Sequence, residues 1–451
     1  MTNPEEKRPM GVPEKAKQVG DIRARWRWVE PAVWTERMLA TLETGVKGGV
    51  WFSLIDKVYD KRNLHSSFQK VKSNKGKAGV DHVGIERFGR QLEGNIEKLH
   101  EGLKMDTYSP QRILRVEIPK PGSKAKRPLG IPTVRDRVVQ TSLRNVLEPI
   151  FEATFSGSSY GFRPGRNCKD ALREVNRLLK EGYLHVVDAD IRSYFDSIDH
   201  ERLLEEVREQ VADGRVLKLV GMFLKQEVLE GMRHWVPEAG TPQGGVISPL
   251  LANIYLNKFD HYLERKGYRL VRYADDFVVL CKKPEEAAAA LGEIEQWMKG
   301  CGLELHPDKM RLVDMNVRGT GFDFLGYHFA RTERYGNLKH WPSTKSMKNI
   351  RGKIKLYVKR NNGHSLETII KKINPILRGW YEYYRHSPDS VLKAMDGWVR
   401  MRLRSILRKR KGGKGRGRGQ DHNRWPNTFF ALYGLLSMLT TRNEARQSSC
   451  R

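Results

Sequence analysis

Alternating apolar and polar positions mark the strands of this chain, and apolar residues recurring every three or four positions mark its helices. Leu184-His-Val-Val-Asp-Ala-Asp190 alternates so that Asp188 and Asp190 share one strand face while Val187, Ala189 and Ile191 share the other. Leu270-Val-Arg-Tyr-Ala-Asp-Asp-Phe-Val-Val-Leu-Cys281 reads as two apolar strands around a tight turn that holds Asp275 and Asp276 at its tip. Residues 112–117 predict a strand. Residues 118–132 predict a hairpin bent at Pro121-Gly-Ser123 and studded with cations, among them Lys120 and Arg127. A short hairpin is expected over 322–329. Helical spacing predicts helices over 50–59, 85–103, 134–147 (ending before Pro149), 168–180, 201–211 behind an Asp199 cap, and 285–300. Gly240 to Leu256 reads as a loop entering a helix, with Ser248 as cap and Pro249 at the first helical position. From 336 onward the character changes to three basic helices, over 343–359, 365–384 and 389–410.

Composition narrows what such a chain can be. With 39% hydrophobic and 30% charged residues in 451, it has enough material for several packed domains. No apolar run approaches the roughly 18 residues of a membrane span, and the N-terminus lacks the apolar core of a signal peptide. A bacterial cytoplasmic location, in association with nucleic acid, is the expectation. Cys168, Cys281, Cys301 and Cys450 form no CxxC pair, which argues against a zinc site or a disulfide framework. The net charge of +29 calls for a polyanionic partner, nucleic acid rather than membrane. The charge is also concentrated: residues 351–420 hold 20 Lys and Arg against 4 acids, a net +16. Candidate nucleic-acid contacts are Arg163 and Arg166 in a tight loop, and Lys353, Lys371, Arg378, Arg400, Arg404 and Arg408 along the basic helices. Arg23-Ala-Arg-Trp-Arg-Trp28 can stack on bases or pack on the protein surface, and the pattern does not choose. The aromatic tail around Trp425, Phe429 and Phe430 reads as packing.

Adjacent carboxylates between apolar strands are costly to bury without a cation. Hard divalent metals take oxygen ligands of this kind. A strand ending at Asp190 and passing into a helix is a second place where a metal-binding acid is expected.

Four motifs stand in a fixed order: Asp190-Ile-Arg-Ser-Tyr-Phe195-Asp-Ser-Ile-Asp-His, Thr241-Pro-Gln-Gly-Gly-Val-Ile-Ser-Pro, Tyr273-Ala-Asp-Asp276, and Phe324-Leu-Gly326. With the basic helices behind them, residues 46–440 resemble the group II intron reverse transcriptase/maturase family. The resemblance implies an α+β, right-hand polymerase: fingers and a ferredoxin-like αβ palm over 46–335, and a helical thumb/maturase domain over 336–411. A basic extension (1–45) and a basic linker with a DNA-binding-like tail (412–451) flank them. It implies an RNA-directed DNA polymerase whose catalytic acids are Asp190, Asp275 and Asp276. The ligands of two Mg²⁺ ions (Mn²⁺ as substitute) would be those acids plus the Ile191 carbonyl. Phe195 would exclude a ribose 2′-OH. Lys120, Arg127 and Gln243 would hold the incoming nucleotide, and Lys309 would lie near the outgoing phosphate. The partners implied are group II intron RNA, a DNA primer or target and dNTPs, with no membrane. The sequence leaves the oligomeric state open. No Cys-rich endonuclease segment of the longest family members is seen before Arg451, so the DNA primer is expected from another source. Two competing readings remain: a splicing factor without polymerase activity, which the intact acids argue against, and a reverse transcriptase turned to host defence or repair.

Overall fold

The computed structural model describes residues 19–46, 48–119, 126–332 and 336–449. Its strands are β1 (Ile113–Pro119), β2 (Lys126–Ile131), β3 (His185–Asp190), β4 (Val228–Glu230), β5 (Arg233–Trp235), β6 (Arg269–Tyr273), β7 (Asp276–Cys281), β8 (Arg311–Asp314), β9 (Gly321–Phe324), β10 (Tyr327–Arg331) and β11 (Leu338–Pro342). They form three sheets, ordered β2-β1-β4-β5, β6-β7-β3-β8 and β11-β10-β9.

The second sheet is the palm. Helices intervene between β3 and β6 and between β7 and β8, so the chain runs β-α-β-β-α-β. Numbered by their order within the palm, the strands lie 4-1-3-2 across an antiparallel sheet, the ferredoxin-like arrangement expected of it. Alternation along the strands divides two cores. Val187, Ala189, Phe277 and Val279 face the first, beneath the helices Ser248–Arg265 and Pro284–Gly300. Val186, Val278 and Leu280 face the second, which they share with Phe322, Phe324 and the thumb helices. Asp188, Asp190 and Asp276 take the intervening positions, on the thumb side.

The thumb helices are Thr344–Lys355, Leu366–Tyr384 and Asp389–Arg410. Residues beyond 411 pack into the same core through Trp425, Phe430 and Met438. Asp396, 4% exposed, accepts hydrogen bonds from Met438 N (3.1 Å), Leu439 N (3.2 Å) and Ser437 Oγ (2.9 Å), and so caps the C-terminal helix Met438–Ser449 from a neighbouring helix.

Several local expectations change. The predicted 85–103 helix is two, Ile85–Arg90 and Leu92–Lys104. The helix expected to stop before Pro149 runs through it to Glu152. Ser248 does not cap its helix. Its hydroxyl donates to Pro242 O (2.9 Å) and accepts from Thr241 Oγ1 (2.7 Å), tying the loop to itself. In the 23–28 segment the choice falls to packing: Trp26 and Trp28 lie against the first core, and Trp26 donates to Glu43 at 3.2 Å.

Candidate active site

The acidic site sits at one end of the palm sheet. The β6–β7 turn is Ala274-Asp275, with Tyr273 paired to Asp276, so Asp275 alone is in the turn and Asp276 begins β7. Asp276 is also opposite Asp190 on β3. All three acids therefore come from adjacent strand ends. Burial, followed by the charges of Asp190, Asp188 and Asp275, pushes the Asp276 carboxyl up to about 7. Burial first, and Asp190 after it, raises Asp275 as well.

A buried framework holds the turn. Arg272, 1% exposed, grips Asp260 on the helix Ser248–Arg265 with two hydrogen bonds of 2.7 and 2.5 Å. The same guanidinium donates to Asn253 Oδ1 (3.0 Å) and to Ala274 O (2.9 Å). Asn253 in turn donates to Gly161 O at 2.8 Å. Gly161 sits so close to the turn that a Cβ there would collide with Ala274 N. Ala274 itself has φ +59°, a left-handed conformation costly for a residue with a side chain. The sequence reading missed this framework. Its signal was present, since Arg272 interrupts an apolar strand and Asp260 stands beside Phe259 inside an apolar helix.

Two cations face the acids. Lys309 forms an ion pair with Asp190, and Arg311 pairs with Asp188 at 2.8 Å. The chain after Leu303 runs back along β3, where Ile191 bridges Leu305 and His306 N donates to Asp190 O at 2.8 Å. Lys309 is delivered to Asp190 by this route. Hard oxygen donors, two of them pushed toward protonation by burial and by one another, fit a divalent cation chemically. Among the described residues, however, no group of three or more His, Cys, Asp or Glu is arranged to hold a metal. The Lys309 ammonium is the cation on Asp190 in this arrangement, and it would have to give way for a metal to bind there.

A second group of expected residues meets beside the acids. Gln243 O accepts from Gly130 N on β2 (2.7 Å), and Thr241 N donates to Phe195 O (2.7 Å). The Gly240–Ser248 loop thus joins the fingers sheet to Phe195, which is half-buried 6.4 Å from the Phe162 ring. Arg127 is exposed on β2, opposite Ile118. Lys120 lies outside the described residues. A cavity of about 700 Å³ opens next to Gln243, Gly130 and Asp196.

The thumb reaches this site through the turn of the β9–β10 hairpin, Leu325-Gly326. Gly326 O accepts from Ser343 N (2.9 Å), Ser346 Oγ (2.9 Å) and Tyr384 Oη (3.3 Å). Leu325 O accepts from Tyr383 Oη at 2.8 Å. A Cβ on Gly326 would stand 2.7 Å from Tyr384 Oη.

The candidate nucleic-acid contacts divide. Lys353, Lys371 and Arg378 are exposed on thumb helices, the last two lining one shallow groove, and Arg400 is half-buried. Two assignments are corrected. Arg163, 7% exposed, is held by Glu152 (2.7 Å) and by Ser156 O and Ser159 O. Arg404, 3% exposed, donates to Trp425 O and Asn427 Oδ1 (both 2.9 Å) and stacks over Phe430. Neither has a guanidinium to offer a phosphate. Arg166 is directed to Gly157 O and Ser159 O, and Arg408 to Asp421 (2.5 Å) and Lys414 O. A charge count cannot separate such residues from exposed ones, because each is fixed by a carbonyl or carboxylate elsewhere in the fold.

Comparison with known proteins decides the family. Residues 118–329 match the reverse transcriptase (RNA-dependent DNA polymerase) family, and residues 347–425 match the group II intron maturase-specific domain. The chain belongs to the group II intron reverse transcriptase/maturase family. It is 34% identical to protein YkfC of Escherichia coli (strain K12) over 304 residues, 58% of this chain and 78% of that protein. It is 40% identical to the group II intron-encoded protein LtrA of Lactococcus lactis subsp. cremoris over 197 residues, 44% of this chain and 33% of that protein. A putative COX1/OXI3 intron 2 protein of Saccharomyces cerevisiae is 32% identical over 369 residues, 77% of this chain and 41% of that protein. The chain thus spans most of YkfC but less than half of the other two. Among the described residues, no helix is long and apolar enough to cross a membrane.

Proposed function

We propose that this member of the family copies RNA into DNA, with the palm acids as the catalytic centre, and that its thumb binds group II intron RNA to assist splicing and mobility. The observation that carries the polymerase reading is the register that sets Asp190 opposite Asp276, beside a turn presenting Asp275. Asp190, Asp275 and Asp276 would hold magnesium, with the Ile191 carbonyl as a further oxygen donor. When bound, the metal supplies charge neutralisation at the primer 3′-oxygen and at the pyrophosphate leaving group.

The chain's own residues do the rest. The Arg272 framework fixes the turn from behind. Lys309 exchanges Asp190 for the departing phosphate. Gln243 and Arg127 position the nucleotide, and the Phe195 ring occupies the space a 2′-OH needs. Lys353, Lys371 and Arg378 grip RNA through its backbone.

Primer extension with dNTPs, run beside an intron-RNA binding assay, tests both halves. Asp275→Ala is expected to abolish extension and leave RNA affinity within about twofold, and Phe195→Ala to admit rNTPs. Loss of RNA binding in Asp275→Ala would break the division between palm chemistry and thumb binding.

A further inference from the structure

A second cavity, of about 640 Å³, lies on the helical side of the palm, away from the face that carries the acids. Its walls come from the helices Val134–Glu152, His200–Arg208, Ser248–Arg265 and Pro284–Gly300 and from the turns that follow the first two. Glu206 sits at its floor. That side chain is 4% exposed, its Oε1 accepts from Arg202 Nε at a long 3.5 Å, and its Oε2 has no hydrogen-bond partner among the described residues. A buried carboxylate oxygen left in this state is costly, and a ligand that brings a donor to it removes the cost. Trp297 and Phe155, both half-buried, and the buried Ile254 add apolar wall. At the rim stand Lys258 and Arg265, both exposed and about two turns apart on one helix face. Lys258 pairs with Glu209 at 2.6 Å, and both members of that pair are about half open to water.

The lining sorts the possible occupants. Arg202, Lys258 and Arg265 outnumber Glu206 and Glu209, an excess of positive charge that disfavours an amine or a guanidinium. An anion that carries N–H donors at its other end suits both the rim and the floor. Among nucleotides, guanine alone offers two adjacent N–H groups on one edge with no acceptor between them. Adenine and cytosine set a ring-nitrogen acceptor against a carboxylate, and uracil flanks its single N–H with carbonyls. We propose that this cavity is a second nucleotide site, specific for a guanine mononucleotide, with the base edge on Glu206 and the phosphates at Lys258 and Arg265. The site is separate from the acids of the palm, and the proposal does not rest on the polymerase reading. Its link to those acids is the helix Ser248–Arg265, whose Asn253 and Asp260 hold Arg272 behind the turn of Asp275.

The test is equilibrium dialysis of the full chain, freed of nucleic acid and without divalent metal, against GDP, ADP, CDP and UDP. It is run at pH 8, where the Glu206 carboxyl, which burial pushes up to about 7, is ionised. GDP is expected to bind about 10- to 100-fold more tightly than ADP, the range of hydrogen bonds to a charged group. Glu206→Gln puts a donor where the guanine edge needs an acceptor, and it relieves a buried charge, so loss of the fold does not confuse the result. It should bring GDP down to the level of ADP. Lys258→Ser with Arg265→Ser should weaken GDP several-fold and leave guanosine unchanged, which separates the rim from the floor. The proposal is overturned if the unaltered chain shows no preference for GDP, if Glu206→Gln keeps that preference, or if the double serine variant either leaves GDP unchanged or weakens guanosine as much as GDP.

Discussion

Replacing Arg272 separates the stability of the palm from the geometry of its turn. The Arg272 and Asp260 side chains are 1% and 0% exposed, so Arg272→Met leaves a buried carboxylate without its counter-charge. Breaking such a pair from one side costs about 3–5 kcal/mol. With a urea m-value of about 3 kcal/mol/M, that lowers the palm's unfolding midpoint by roughly 1–1.7 M. Adding Asp260→Leu removes the stranded charge, and replacing both members of a buried pair by apolar groups is often neutral. The double variant should therefore regain most of the lost stability. Activity should not return with it. Ala274 O still lacks the donor that holds it at 2.9 Å, and Ala274 is then free to leave its φ of +59°. A displacement of about 1 Å at Asp275 is enough for a 100-fold loss of rate. Single-turnover primer extension at saturating dNTP, measured on protein shown folded by urea titration, reads the two effects apart. Recovery of both stability and rate in the double variant would refute the turn-holding role and leave Arg272 as a charge partner only.

Gly326→Ala places a methyl 2.7 Å from Tyr384 Oη at a φ of +80°. Thermal unfolding should shift down by several degrees, and Tyr384→Phe in the same chain should recover part of the shift. Arg404→Met should cost about 1–3 kcal/mol, from the stranded Trp425 O, without altering the salt dependence of RNA binding. Lys371→Ser with Arg378→Ser should do the reverse, lowering the slope of log affinity against log salt by about 0.7–0.9 per contact. Burial pushes the Glu206 carboxyl up to about 7, against the opposing charges of Lys258 and of Arg202, which donates to it at 3.5 Å. Its folded value exceeds its unfolded one, so its contribution to stability is full below about pH 4.5 and is lost as pH rises through about 7. At about 1.4 kcal/mol per unit, Glu206→Gln should gain on the order of 3 kcal/mol at pH 8 and nothing at pH 4, read by urea titration at the two values.

How far the sequence could be read depended on the range of the forces involved. Alternation in 184–190 and 270–281 revealed the strands and the face carrying Asp188 and Asp190, because period-two burial is local. Asp389–Arg410 was legible to the residue from its apolar stripe. Caps and ends were less so: Ser248 had a local reason to cap a helix, but its oxygen accepts from the Thr241 hydroxyl instead. β11 went unforeseen, since it exists by pairing with β10 and has no strand pattern of its own. Arg163 and Arg404 looked like surface cations because their partners, Glu152 and Trp425 O, depend on the tertiary fold.

The palm sheet's outer face bears on how such a chain can be divided or decay. Val186, Val278 and Leu280 on that face are packed by the same residues that hold the thumb helices and the C-terminal segment together. A thumb cut free at about residue 343 would expose this apolar layer to water, so an autonomous RNA-binding fragment is not available from this fold by truncation. A lineage that gave up copying could lose Asp190 and Asp275 one substitution at a time. It would still have to keep the strands that carried them, as a fossil floor beneath the maturase.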